Sequence, residues 1–148
     1  IAGGQWPGHL QEVLECIAIE SPEELYGWCS DHAELVGDGY AFSKECVQVY
    51  TMKSAKDSLA ASVRTNSVCP APIDTPLLPD FNKTMSEKTM TWTIDQIGGT
   101  IATPRDIALT LSFLGSDASA YVNGVNLNVD MGFNAFMTTG QIDFSGLA

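Results

Sequence analysis

The chain has 148 residues, 45% apolar and 17% charged, with a formal net charge of -11. That is enough to bury one core, and no apolar run approaches the ~20 residues of a membrane span, so no membrane partner is expected. Only seven Lys and Arg are present, all between Lys44 and Arg105, while residues 1–39 carry eight acids and no base; a polyanion such as nucleic acid is excluded as partner, since phosphate neutralisation needs clustered cations.

The chain begins Ile1-Ala2-Gly3-Gly4, with no basic or apolar leader, and reads as an entry into the middle of a longer sequence. An acidic helical stretch is expected over about 8–37. Within it Ser21-Pro22-Glu23-Glu24 offers a cap, a proline at the first helical position and an acid three residues on. A long helix follows from about Gly39 to Leu59, with Phe42, Cys46, Val49 and Met52 as its apolar stripe and Lys53, Lys56 and Asp57 toward water. Val63–Cys69 reads as a strand stopped by Pro70. Thr75-Pro76 and Thr103-Pro104-Arg105-Asp106 are further helix starts. The second of these helices presents Ile107, Ala108, Leu111 and Leu114 on one face and ends at Gly115. Asn123-Gly124 turns into a last strand, Val125–Val129.

Helix, strand, helices, strand is the order of a parallel α/β sheet, although two strands are too few for helices on both faces. His9 and His32 have no metal-ligand spacing, and neither do Cys16, Cys29, Cys46 and Cys69; no metal is expected. Cys46 and Cys69 sit in apolar patterns as small core residues, which suits a reducing cytoplasm.

Tyr40 and Lys44 put a phenol and an ammonium at i and i+4, about 6 Å apart along one helix face. After them come the strand, Pro70-Ala71-Pro72-Ile73-Asp74-Thr75-Pro76-Leu77-Leu78, and Asn123-Gly124-Val125-Asn126-Leu127-Asn128-Val129-Asp130-Met131-Gly132. In that order and spacing, over about residues 38–133, the chain resembles the short-chain dehydrogenase/reductase family. The acidic stretch before Tyr40 resembles the insertion of bacterial 3α-hydroxysteroid dehydrogenase/carbonyl reductases. The resemblance implies the C-terminal portion of a Rossmann-like, doubly wound parallel sheet with its first strands missing, forming a single partial domain over 1–148. It implies an alcohol–carbonyl oxidoreductase using NAD or NADP. Tyr40 would be the general acid/base; Lys44 would lower its pKa and hold the nicotinamide ribose. Pro70, Ala71, Ile73 and Thr75 would hold the carboxamide, with Thr75 also readable as a plain helix cap. Leu77, Leu78, Phe81 and Met85, continued by Met90 and Trp92, would form a substrate lid for an apolar, steroid-like alcohol or ketone, or else pack as core.

Three departures from the family pattern stand out. No Gly-x-x-x-Gly-x-Gly follows a first strand. Gly27 occupies the place, thirteen residues before the tyrosine, where the family carries its serine, unless the longer insertion puts that serine before Ile1. Ala71 and Met131 stand where the family has glycine, and the Ala71 methyl would crowd the nicotinamide. A truncated or split enzyme follows, expected to be inactive without its N-terminal half and to need a complementing N-terminal segment or a second copy, because Val63–Cys69 would expose an edge. The alternative is a non-catalytic oligomerisation or binding module derived from such an enzyme.

Overall fold

Gly39 adopts a left-handed φ of 82° and ends the preceding turn, and the Asp38 carboxylate accepts the Tyr40 N–H at 3.0 Å. Together they start the central helix, since an acid satisfies an orphan donor at the positive end of a helix. The computed structural model describes residues 2–147, apart from the side chains of residues 82–85, 146 and 147. The helices are α1 (Leu10–Cys16), α2 (Pro22–Asp31), α3 (Ala33–Val36), α4 (Tyr40–Ala60), α5 (Leu78–Met85), α6 (Glu87–Gln96), α7 (Pro104–Leu114) and α8 (Phe133–Thr138). The strands are β1 (Ser67–Pro70) and β2 (Asn126–Val129). No helix among the described residues is long and apolar enough to cross a membrane.

The chain divides into two units, Ile1–Ser67 with Val122–Asn126, and Val68–Tyr121 with Leu127–Ala148. In the first, Val13, Cys16, Phe42 and Val49 form a core, flanked by Leu25, Trp28, Cys46 and Met52. Trp28 stacks on His32 at 3.9 Å between ring centroids. Ser21 caps α2 by accepting the Glu24 N–H at 3.3 Å. The α4 stripe is as expected at Phe42 and Val49, with Cys46 and Met52 half-buried. Two polar residues, Glu45 and Thr51, are also buried on it. Thr51 satisfies its hydroxyl on the Val47 carbonyl one turn back.

The strand expected over Val63–Cys69 is shorter at its start. Ser62 takes a left-handed φ of 60°, and the Val63 N–H returns to the Ser58 carbonyl. Side chains then take over most of the pairing, beside a backbone bond from the Gly124 N–H to the Thr65 carbonyl at 2.8 Å. The Thr65 N–H donates to Asn123 Oδ1 at 2.9 Å, Asn123 Nδ2 to the Ala55 carbonyl at 3.0 Å, and the Val125 N–H to Asn66 Oδ1 at 3.1 Å. Arg64 and Asn66 both donate to the Val122 carbonyl. True pairing begins at Ser67, whose N–H reaches the Val125 carbonyl; four residues on, Ala71 reaches Val129. Advancing by four on both strands together is the register of a parallel pair.

In the second unit Ala71, Ile97, Phe133 and Ile142 form a core against Trp92 and Phe136. Thr75-Pro76 does not open a helix. Thr75 lies in a bend, its carbonyl accepts the Leu78 N–H, and α5 starts at Leu78. Thr103 does open α7, donating its N–H and hydroxyl to the Asp106 carboxylate, each at 2.7 Å. The buried seam of α7 is narrower than its periodicity suggests: Ile107 and Leu114 are buried, whereas Ala108 and Leu111 are exposed.

Candidate active site

Tyr40 and Lys44 occupy the first two turns of α4, and the Lys44 ammonium lies over the Tyr40 ring, 5.3 Å from its centroid. The i, i+4 spacing therefore brings the pair together as expected, with the cation facing the negative π-face. Its effect on acidity differs from the expectation. Burial pushes the Tyr40 phenol above its ordinary value of 10.0, because desolvation disfavours the phenolate.

Behind this pair lies a polar contact that periodicity did not reveal. Glu45 is 3% exposed, and its Oε2 is 2.8 Å from His9 Nδ1. His9 sits at the start of α1. Gly3 approaches the same turn with φ +86°; a Cβ there would stand 2.7 Å from the Lys44 carbonyl carbon and 2.9 Å from the Glu45 nitrogen. Gln48 Nε2 donates to the Ala2 carbonyl at 3.4 Å. Residues 2–9 are thus fastened along α4 at Lys44, Glu45 and Gln48. A buried carboxylate needs a partner, and His9 supplies one.

Tyr40 and Lys44 belong to the first unit, and Ala71, Ile73 and Thr75 to the second. There Pro70 ends β1, and the Ala71 N–H donates to the Val129 carbonyl at 3.0 Å. The Ala71 methyl is buried in the apolar cluster with Ile97, Phe133 and Ile142, so it is occupied by packing rather than standing free to crowd a ligand. Ile73 forms a parallel bridge with Ala102, in which the Asp74 N–H donates to the Ala102 carbonyl at 2.8 Å. In a parallel bridge the partner bonds the residues on either side, so the N–H and C=O of Ile73 itself point away from Ala102. Thr75 is half-buried and carries its hydroxyl two residues further.

Of the lid residues, Leu77 is 66% exposed, Leu78 and Phe81 are half-buried, and the Met85 side chain lies outside the described residues. Met90 is buried, and Trp92 packs edge-on against Phe133 while its Nε1 donates to the Asp143 carbonyl; these two are core. Gly27 lies within α2, where no hydroxyl is available. Asp130 is a further buried acid, accepting the Gly132 and Asn134 N–H groups at 3.0 and 2.9 Å and so starting α8. The signal for it was present as an acid two residues before a glycine, the pattern of an Asx turn.

The sequence family described as enoyl-(acyl carrier protein) reductase matches residues 29–134. The coniferyl-alcohol dehydrogenase of Pseudomonas sp. (strain HR199 / DSM 7063) is 26% identical over 89% of this chain and 52% of its own length. Levodione reductase superposes on 66% of this chain and 40% of its own, with a TM-score of 0.59 at 27% identity. A 4-hydroxyisoleucine dehydrogenase complexed with NADH covers 65% of this chain and 39% of its own, with a TM-score of 0.55 at 28% identity. The chain spans about half the length, or less, of the curated relatives it matches.

Proposed function

Since the chain belongs to the short-chain dehydrogenase/reductase family, we propose that it is the proton-transfer portion of an enzyme that interconverts an alcohol and a carbonyl. The single observation that carries this reading is the Tyr40–Lys44 pair on the first turns of α4. NAD or NADP is the cofactor proposed, supported by the NADH held in the 4-hydroxyisoleucine dehydrogenase relative. When bound, the nicotinamide supplies or accepts the hydride.

The residues of this chain handle the proton. In the reducing direction the Tyr40 phenol gives its proton to the oxygen that gains charge; in the oxidising direction its phenolate takes the alcohol proton. Burial favours the protonated phenol and so suits the reducing direction at neutral pH. The Lys44 ammonium, over the ring, favours the phenolate against the desolvation that burial imposes, and donates to the nicotinamide ribose. The outward N–H and C=O of Ile73, with Pro70, Ala71 and the Thr75 hydroxyl, seat the carboxamide. Leu77, Leu78 and Phe81 form a lid over an apolar, steroid-like alcohol or ketone, a role the sequence also suggests for Met85, whose side chain lies outside the described residues; the exposure of Leu77 supports that assignment. Full activity requires a complementing N-terminal segment or a second copy, and the four free thiols suit a cytoplasmic setting.

The test is reduction of a panel of apolar ketones by NADH and NADPH, with the chain supplemented by the N-terminal half of a relative. Tyr40→Phe is expected to abolish turnover; turnover that survives it overturns the assignment. The second reading is a non-catalytic binding or oligomerisation module, favoured by the absence of a glycine-rich dinucleotide motif anywhere in the sequence. Failure of the supplemented chain to quench Trp6, Trp28 or Trp92 fluorescence on addition of either dinucleotide would select it.

A further inference from the structure

The turn leading into β2 holds the sole Asn-Gly pair in the sequence, Asn123-Gly124. Asparagine is among the thermolabile residues, and a following glycine leaves its own nitrogen unshielded by any side chain. That nitrogen is the natural attacker of the Asn123 side-chain amide. In the folded chain the attacking nitrogen, the amide oxygen and the leaving nitrogen are all engaged. The Gly124 N–H donates to the Thr65 carbonyl at 2.8 Å. Asn123 Oδ1 accepts the Thr65 N–H at 2.9 Å, while Asn123 Nδ2 donates to the Ala55 carbonyl of α4 at 3.0 Å. The flanks are fastened too. The Val122 carbonyl accepts from Arg64 and Asn66, and the Val125 N–H donates to Asn66 Oδ1. A Cβ on Gly124 would stand 3.1 Å from that of Ala55, so the turn lies close against α4.

We propose that Asn123 is a deamidation site gated by opening of this turn, and that the reaction is one-way: the closed turn blocks it and its product no longer closes. The Gly124 nitrogen, losing its proton to solvent, bonds to the Asn123 side-chain carbonyl carbon. The bond from that carbon to Nδ2 breaks, and Nδ2 leaves as ammonia. Water then adds to either carbonyl of the five-membered imide and opens it to an aspartate or an isoaspartate. Nothing is oxidised or reduced; one water is consumed and one ammonia released. The aspartate keeps an acceptor for the Thr65 N–H but sets a carboxylate oxygen where Nδ2 stood, 3.0 Å from the Ala55 carbonyl oxygen, acceptor against acceptor. The isoaspartate adds a main-chain carbon to a turn already in contact with Ala55. Local opening thereby becomes permanent. The proposal stands independently of any dehydrogenase activity.

The test incubates the intact chain in mildly alkaline buffer, folded and in guanidinium chloride, and follows deamidation by peptide mass mapping. Unfolded, the chain is expected to convert position 123 to an acid. Asn123→Gln, whose longer side chain does not close the five-membered ring, is expected to abolish that conversion in the same denaturant. Folded, the reaction is expected to run at least about tenfold slower, since two side-chain bonds must break before the turn opens. Arg64→Ala and Asn66→Ala, each checked for a folded circular dichroism spectrum, release the flanks without altering the Asn-Gly pair and are expected to speed the folded reaction. Returned to buffer, modified chains are expected to melt below unmodified ones. Equal rates folded and unfolded, a folded rate unmoved by both flank variants, or modified chains that melt with the parent would each overturn the proposal.

Discussion

Replacing His9 by alanine leaves the Glu45 carboxylate, 3% exposed, without its 2.8 Å partner. Had both groups been sealed from water, breaking such a pair would cost about 3–5 kcal/mol. The His9 side chain is 37% exposed and that of Glu45 only 4%, so water can reach one end of the contact after the imidazole is removed. The scale then falls to that of a lost hydrogen bond to a charged group, about 1.5–3 kcal/mol. For a chain of this length that corresponds to a fall of about 4–8 °C in melting temperature. Thermal unfolding followed by circular dichroism at matched pH measures it. The orphaned charge, rather than lost packing, is the proposed cause, so His9→Ala/Glu45→Gln should recover part of the loss, with a coupling energy of at least about 1 kcal/mol. A His9→Ala chain melting within about 1 °C of the parent, or strictly additive losses, would refute this account.

Other outcomes follow from single contacts. Asn123→Ala removes the acceptor of the Thr65 N–H and the donor to the Ala55 carbonyl, and is expected to cost about 2–3 kcal/mol in urea unfolding. Met131 holds a left-handed φ of 51° while 70% exposed, so Met131→Gly should stabilise the chain by about 1 kcal/mol in the same assay. The Tyr40 phenol should ionise above pH 10.0, read as the ultraviolet difference between the parent and Tyr40→Phe. Because that folded value lies above the unfolded one, the stability tied to the neutral phenol is whole below pH 10.0 and is lost as pH rises through the folded value. A Tyr40 that titrates below 10.0 would contradict the burial argument.

The long helix was legible because Gly39 and the 3.6-residue spacing of Phe42, Cys46 and Val49 agree on where it starts and which side it buries. The Tyr40–Lys44 contact follows from the same spacing. The strand was overcalled because β-branched Val63 and Thr65 carry strand propensity, while the backbone there is satisfied by Asn123 and Asn66 side chains that lie more than fifty residues away or point across the turn. Thr75 looked like a cap because a hydroxyl before proline is the usual helix start, yet the chain bends there and the helix waits until Leu78. Glu45 escaped notice since hydropathy places acids in water; His9, 36 residues earlier, makes its burial tolerable. The direction of the Tyr40 shift was misjudged for a related reason. Spacing locates the ammonium along the helix, but not how far folding withdraws the phenol itself from water.

The seating of Gly3 against the helix backbone has a consequence for variation at the amino end. In a library randomising positions 3 and 8 and selected for folded chains, position 3 should return glycine almost alone, since any side-chain carbon would overlap main-chain atoms that cannot move aside. Position 8 should accept a broad range of residues, because open space surrounds its missing methyl.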